Sequence, residues 1–141
     1  MKRTAKLEVQ LAGVPLFSGL SSEQLHDLAT LVVRSREAAG TPLMRRGERG
    51  DELVVLLDGS VEVRRDGATL ATLGPGSYLG EIALIDDGAV RTADVVAITP
   101  VTIAYLGRHE FAQLFSASPE FALAILHAAA SRLAEADSPG V

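Results

Sequence analysis

The chain of 141 residues has no cysteine and no tryptophan, only four Phe and two Tyr, and two Met. Without cysteine there is no disulfide framework, no thiolate metal site and no thiol nucleophile. No stretch reaches the roughly 20 uninterrupted apolar residues needed to cross a bilayer. The start has Lys2 and Arg3, but Glu8 and Gln10 fall where a signal peptide needs its apolar run, so a cytoplasmic chain is expected. Basic charge is also short: 13 Lys and Arg stand against 18 Asp and Glu, a net charge of −5, which argues against a DNA backbone or an anionic membrane as the main partner. The three histidines, His26, His109 and His127, are scattered without ligand spacing, which argues against a metal cupin, the enzyme alternative on a β-roll. Asp86-Asp87-Gly88 lacks the later acids of a calcium loop and reads as a solvated turn. No Gly-x-Ser-x-Gly elbow occurs, and no internal repeat or helix-turn-helix pattern is present.

What is present is an ordinary globular composition, 48% hydrophobic and 22% charged, enough for one domain with its own core. The start at Met1 and the Pro139-Gly140 stop fit the expectation of a complete small protein, with a piece cut from a channel, kinase or transporter as the alternative. Ser21 with Gln24 three residues on, followed by Leu25, Leu28, Leu31 and Val32 at helical spacing, predicts a capped helix from about 22 to 34. Val14 to Phe17 ahead of it forms a short apolar hook with a structural role. From Thr41 the texture turns to short β-rich runs: Pro42–Arg46, Leu53–Leu57, Ser60–Arg65, Thr69–Leu73, Arg91–Ile98 and Val101–Leu106. Asp58-Gly59 and Asp66-Gly67 each read as a hairpin turn, and such short, regularly spaced strands suggest a small sandwich, jelly roll or barrel. After Gly107 the pattern is helical again, first over His109–Phe115 and then from Ser118-Pro119-Glu120 to about Glu135. That last helix is apolar over most of its circumference and must be buried, against the roll or against a second copy.

One stretch breaks the strand rhythm. Gly74, Gly76 and Gly80 free the backbone for tight turns, and Glu81–Ile85 is long enough for one helical turn. A glycine-rich turn feeding a helix start presents unpaired N–H groups to an anion such as phosphate. Ten residues after Glu81 comes Arg91, whose guanidinium could neutralise a phosphate bidentately while the Glu81 carboxylate accepts from a sugar hydroxyl. On the residues alone, a structural Glu81–Arg91 ion pair is an equal alternative. A dinucleotide fingerprint is excluded, because the third glycine comes one place late and no long helix follows.

The string GEIALIDDGAVRTA resembles the phosphate-binding cassette of cyclic nucleotide-binding domains, Gly-Glu-[Leu/Ile/Met]-[Ala/Gly]-Leu, a short loop, then Arg-[Ser/Thr/Ala]-Ala. The opening hook and helix, the LVVLLDGSVEV hairpin, the Gly-x-Tyr-Leu-Gly-Glu turn and the Ser-Pro-Glu-led last helix fall in that family's order. The resemblance implies a mainly β fold with flanking helices, an antiparallel β-roll or jelly roll (double-stranded β-helix) with an N-terminal helix and two C-terminal helices. It implies a single domain over 1–141: an N-terminal helical segment 1–40, a roll 41–107 with its cassette at 80–93, and C-terminal helices 108–136.

Carried over by position, Glu81 binds the ribose 2′-hydroxyl with Gly80, and Arg91 with the N–H groups of Ala83 and Thr92 holds the cyclic phosphate. Ile82 and Ala93 complete the cassette, Val63 and Leu73 line the base pocket, and Arg132 reaches back from the last helix. Val90 replaces a frequent proline, as in the activator subgroup of the family. Ala136 and Asp137 stand where activator-like members carry hydroxyls facing adenine. The resemblance implies cAMP or cGMP as the ligand, with cAMP favoured because the ten-residue spacing from Glu81 to Arg91 is similar to that of the activator-like members, and it implies neither cofactor nor metal. The expected partners are an effector protein and a second copy through the C-terminal helix, with no direct DNA or membrane contact and no enzymatic activity. The alternative is a degenerate roll that serves as a nucleotide-independent interaction module.

Overall fold

The computed structural model describes residues 2–86 and 88–136, and the side chains of these except at 2–5, 83, 85 and 132–136. Helix α1 (Lys2–Ala12) leads into a 3-10 turn over Pro15–Phe17 and then helix α2 (Ser22–Leu31). Ser21 caps α2 through a full capping box, its side chain accepting from the Gln24 N–H while the Gln24 side chain accepts from the Ser21 N–H. The helix stops at Leu31 rather than near 34, because strand β1 (Val33–Glu37) begins at once and pairs with strand β8 (Val101–Gly107). The roll thus starts inside the segment expected to be helical.

The remaining strands are β2 (Pro42–Met44), β3 (Glu52–Asp58), β4 (Val61–Arg65), β5 (Ala68–Leu73), β6 (Tyr78–Leu79) and β7 (Asp94–Ala97). Helix α3 (Ile82–Ile85) interrupts them, and α4 (Arg108–Ala117) and α5 (Pro119–Ala136) follow. The strands form two antiparallel four-stranded sheets, ordered β1-β8-β3-β6 and β2-β7-β4-β5.

Burial explains the texture of each strand. In β3, Val54 and Leu56 point into the roll with Met44, Val61, Val95, Ala97, Val101 and Ile103, while Leu53 and Val55 point outward into a second cluster. That second cluster is built from the helices: Leu7, Leu11, Phe17, Leu28, Phe111, Phe121 and Ile125 among others. A strand covered on both faces needs an unbroken apolar run, which is why β3 reads Leu-Val-Val-Leu-Leu. Strand β4 has one covered face and alternates instead, with Val61 buried and Arg64 exposed.

Two turn expectations part company. Asp66 (φ 54) and Gly67 (φ 78) take the left-handed pair of a tight hairpin, and β4 pairs with β5 across them. Asp58-Gly59 is not a hairpin: β3 and β4 belong to different sheets, and the turn is a corner between them. Gly59 (φ 88) packs so closely on the next turn that a Cβ would meet Val101 Cγ1 at 2.8 Å and Thr99 Oγ1 at 2.9 Å. The corner is fixed by the Ile98 N–H donating to the Ser60 carbonyl (2.9 Å) and the Ser60 N–H donating to Thr99 Oγ1 (3.0 Å).

The strands expected over Pro42–Arg46 and Arg91–Ile98 are shorter, ending at Met44 and starting at Asp94. The Arg46 N–H donates to the Asp94 side chain instead of to a ladder carbonyl, and Gly47 turns the chain away at φ 85. Residues 90–93 are held by an isolated bridge between Arg49 and Val90 rather than by a continuous ladder.

Candidate functional site

The chain enters the site along β6, whose Tyr78 and Leu79 pair with Val55 and Val54 of β3. It then turns at Gly80, where φ is 84 and a Cβ would stand 2.7 Å from the Glu52 carbonyl oxygen and 3.2 Å from Met44 Cε. Only glycine fits that conformation and that space. Glu81 follows already in helical geometry (φ −61, ψ −30) and its carbonyl accepts from the Leu84 N–H at 3.1 Å, so the turn begins at the carboxylate and α3 runs from Ile82. Glu81 is 2% exposed, while the Ile82 side chain is half-buried. A carboxylate so deeply buried is uncommon without compensation, and the charge of Glu81 interacts with that of Arg91. Ala83 lies in the first turn of α3.

Arg91 arrives from the other side on the segment before β7. Its backbone is pinned to the loop after β2, the Arg91 N–H donating to the Glu48 carbonyl and the Arg91 carbonyl accepting from the Gly47 N–H, both at 2.8 Å. Its guanidinium lies against the backbone of Gly80, and Nη2 donates to the Glu52 carbonyl at 2.9 Å. Burial pulls the Arg91 pKa below its usual value, and the carboxylates of Glu52, Asp51 and Glu81, in that order of strength, act against that pull. Glu52 is pushed up, by burial first and then by Asp51, with Arg91 opposing. The site thus holds a half-buried cation on which the charges of Glu52, Asp51 and Glu81 act.

Thr92 is exposed, and its carbonyl accepts from Arg65 Nε at 3.0 Å, which fastens the segment after Arg91 to β4. Ala93 is buried. Val63 and Leu73 lie on neighbouring strands, half-buried against the roll interior that Met44 and Leu79 also reach. Because Met44 Cε abuts Gly80, this apolar wall meets the polar turn there. The structure therefore brings the Arg91 guanidinium against Gly80, the residue before Glu81, Ile82 and Ala83, while Thr92 and Ala93 follow Arg91 in the chain and Val63 and Leu73 belong to the apolar cluster that includes Met44. Arg132 lies in the last helix, but its side chain, like Asp137, falls outside the described residues.

Gly50, Asp51, Glu52 and Arg65 were not singled out by sequence reasoning. The only signal for the acids is their adjacency at the start of a buried strand. Among the described residues no group of three His, Asp or Glu is placed to hold a metal ion, and no helix is long and apolar enough to cross a membrane.

The fold is a two-sheet β-roll with a buried acid on a glycine-rich turn and an arginine laid against the glycine before it. The family model described as cyclic nucleotide-binding domain matches residues 36–118. The chain is 38% identical over 112 residues to a cyclic nucleotide-gated potassium channel of Mesorhizobium japonicum, covering 79% of this chain and 31% of that protein. It is 33% identical over 132 residues to a cyclic AMP receptor protein of Thermus thermophilus, covering 90% of this chain and 61% of that one. The N-terminal domain of a transcriptional regulator from Streptomyces coelicolor has the same fold at a TM-score of 0.76 and 34% identity, covering 94% of this chain and 99% of that domain. This chain belongs to the cyclic nucleotide-binding domain family. It spans less than two thirds of the length of either curated relative.

Proposed function

We propose that the domain binds cAMP, with cGMP as the competing ligand, as a regulatory sensor whose output travels through α5. The observation that carries this reading is the placement of the Arg91 guanidinium against Gly80, the residue before the buried Glu81, so that one cation and one carboxylate serve neighbouring parts of a single small molecule. Glu81 takes the ribose 2′-hydroxyl. Arg91 and the N–H groups of Ala83 and Thr92 take the cyclic phosphate. Val63 and Leu73 face the base, and Arg132 approaches from α5. The preference for cAMP is supported by the cyclic AMP receptor protein whose alignment covers 90% of this chain. We assign no catalytic step, no metal and no cofactor.

The relay is a population shift: the ligand favours whichever α5 position contacts it better, and the shift is no larger than that difference in affinity. The receiver is an effector protein or a second copy meeting α5. Leu123 (66% exposed) and Leu126 support such a contact, and they equally support a nucleotide-independent interaction module. Calorimetric titration of nucleotide-stripped protein with cAMP, cGMP and linear 5′-AMP tests the reading. Binding of a cyclic nucleotide with changed hydrogen exchange in α5 supports it, and a folded protein that binds none of the three favours the interaction module.

A further inference from the structure

We propose that Gly50 is a positioning residue for the phosphate-holding arginine: its missing Cβ is the seat on which the Arg91 guanidinium rests. The inference deepens the nucleotide-binding reading and rests on it. A Cβ built at Gly50 would have Arg91 Nε, Cζ and Nη2 as its three nearest heavy atoms, with Nη2 at 2.6 Å and the other two closer still. Nothing else about the position calls for glycine, because its backbone lies outside the left-handed region. Gly47, three residues earlier, is the opposite case: its φ of 85 calls for glycine, and the space around it is open.

Gly50 cannot retreat to make room. The bridge between Arg49 and Val90 holds one side, and the Arg108 N–H donating to the Asp51 carbonyl at 2.9 Å holds the other. The guanidinium cannot slide toward Gly80, where a second backbone already touches Nη1. An added methyl therefore expels the guanidinium, which is the free end of a flexible side chain, and breaks its bond to the Glu52 carbonyl. The fold loses little by this. Alanine at an ordinary φ also restricts the unfolded chain, which offsets part of the loss. The ligand loses more, because a bidentate grip on phosphate depends on where the planar fork is held.

The test compares wild type and Gly50→Ala by calorimetry with cAMP and cGMP, by thermal melting without ligand, and by the Arg91 Nε–Hε resonance, assigned through its absence in Arg91→Lys. The expected result is a loss of affinity of more than tenfold, a melting temperature equal to or above that of wild type, and a displaced Arg91 resonance. Unchanged affinity, or an unmoved resonance, overturns the seat. If Gly50→Ala lowers the melting temperature, the same substitution in an Arg91→Ala background decides: no further loss there supports the seat, and an equal loss overturns it. If the wild type binds neither nucleotide, the functional reading fails, and the resonance alone judges the seat, supporting it if displaced and overturning it if not.

Discussion

Gln24 Nε2 donates a 2.8 Å hydrogen bond to Ser118 Oγ, joining the start of α2 to the start of α5 across 94 residues of sequence. Ser118 is 2% exposed, and its hydroxyl also accepts from the Phe121 N–H at 3.4 Å. The same Gln24 side chain closes the capping box of α2. One residue therefore secures two helix starts. Gln24→Ala is expected to destabilise the fold by about 1–2 kcal/mol, from a lost cap partner and a lost hydrogen bond. Amide exchange in the first turns of α5 should rise more than in β3, and equal changes in both would refute the link.

Phe121 is the pivot of that junction. It is fully buried, stacks on Phe17 with centroids 5.6 Å apart and tilts against Phe111 at 5.7 Å. Phe121→Ala should cost about 3–5 kcal/mol in urea unfolding, as large-to-small changes at such sites do. A cost below about 1 kcal/mol would mean that the N-terminal turn does not hold α5.

Glu52 gives the stability a pH dependence of definite sign. Its pKa in the folded state is raised above the usual carboxylate value, chiefly by burial, so the native protein holds this proton more tightly than the unfolded chain. The favourable contribution is present below the unfolded pKa and is lost as pH rises through the folded one. Glu52→Gln should therefore flatten the melting temperature against pH in the window just above the ordinary Glu value of 4.5. An identical profile in the variant would remove Glu52 from the account.

The carboxylate of Glu81 is assigned to one hydroxyl, which makes its effect separable. Glu81→Gln should weaken cAMP by about 1.5–3 kcal/mol, the range for hydrogen bonds to a charged group. With 2′-deoxy-cAMP the same substitution should change affinity little. Equal losses for both ligands would place Glu81 elsewhere in the site.

The parts of this structure that were legible in the sequence are those encoded locally. The Ser21–Gln24 box, the Ser118-Pro119-Glu120 helix start and the Asp66-Gly67 hairpin each carry their own backbone chemistry. Asp58-Gly59 carries the same chemistry, but a positive φ says only that the chain turns, and the partner of the next strand is chosen by distant packing. Strand β1 was hidden because Val33 is 64% exposed and Arg34 and Arg36 break any apolar alternation, so its pairing with β8 alone makes it a strand. Helix α1 has a readable signal in Leu7 and Leu11, buried one helical turn apart, with Val14 buried just beyond its end. At the site, Glu81 and Arg91 stood out through the cassette. Gly50 and Glu52 meet Arg91 only in three dimensions, one by an absent atom and the other through its carbonyl.

The central claim is that Arg91 is the cation for a cyclic phosphate, and calorimetry of wild type and Arg91→Ala with cAMP tests it most directly. Removing the guanidinium leaves a bound phosphate without its counter-charge, and the account predicts a loss of about 2–5 kcal/mol, roughly thirtyfold to several thousandfold in affinity. Equal dissociation constants for the two proteins would contradict it.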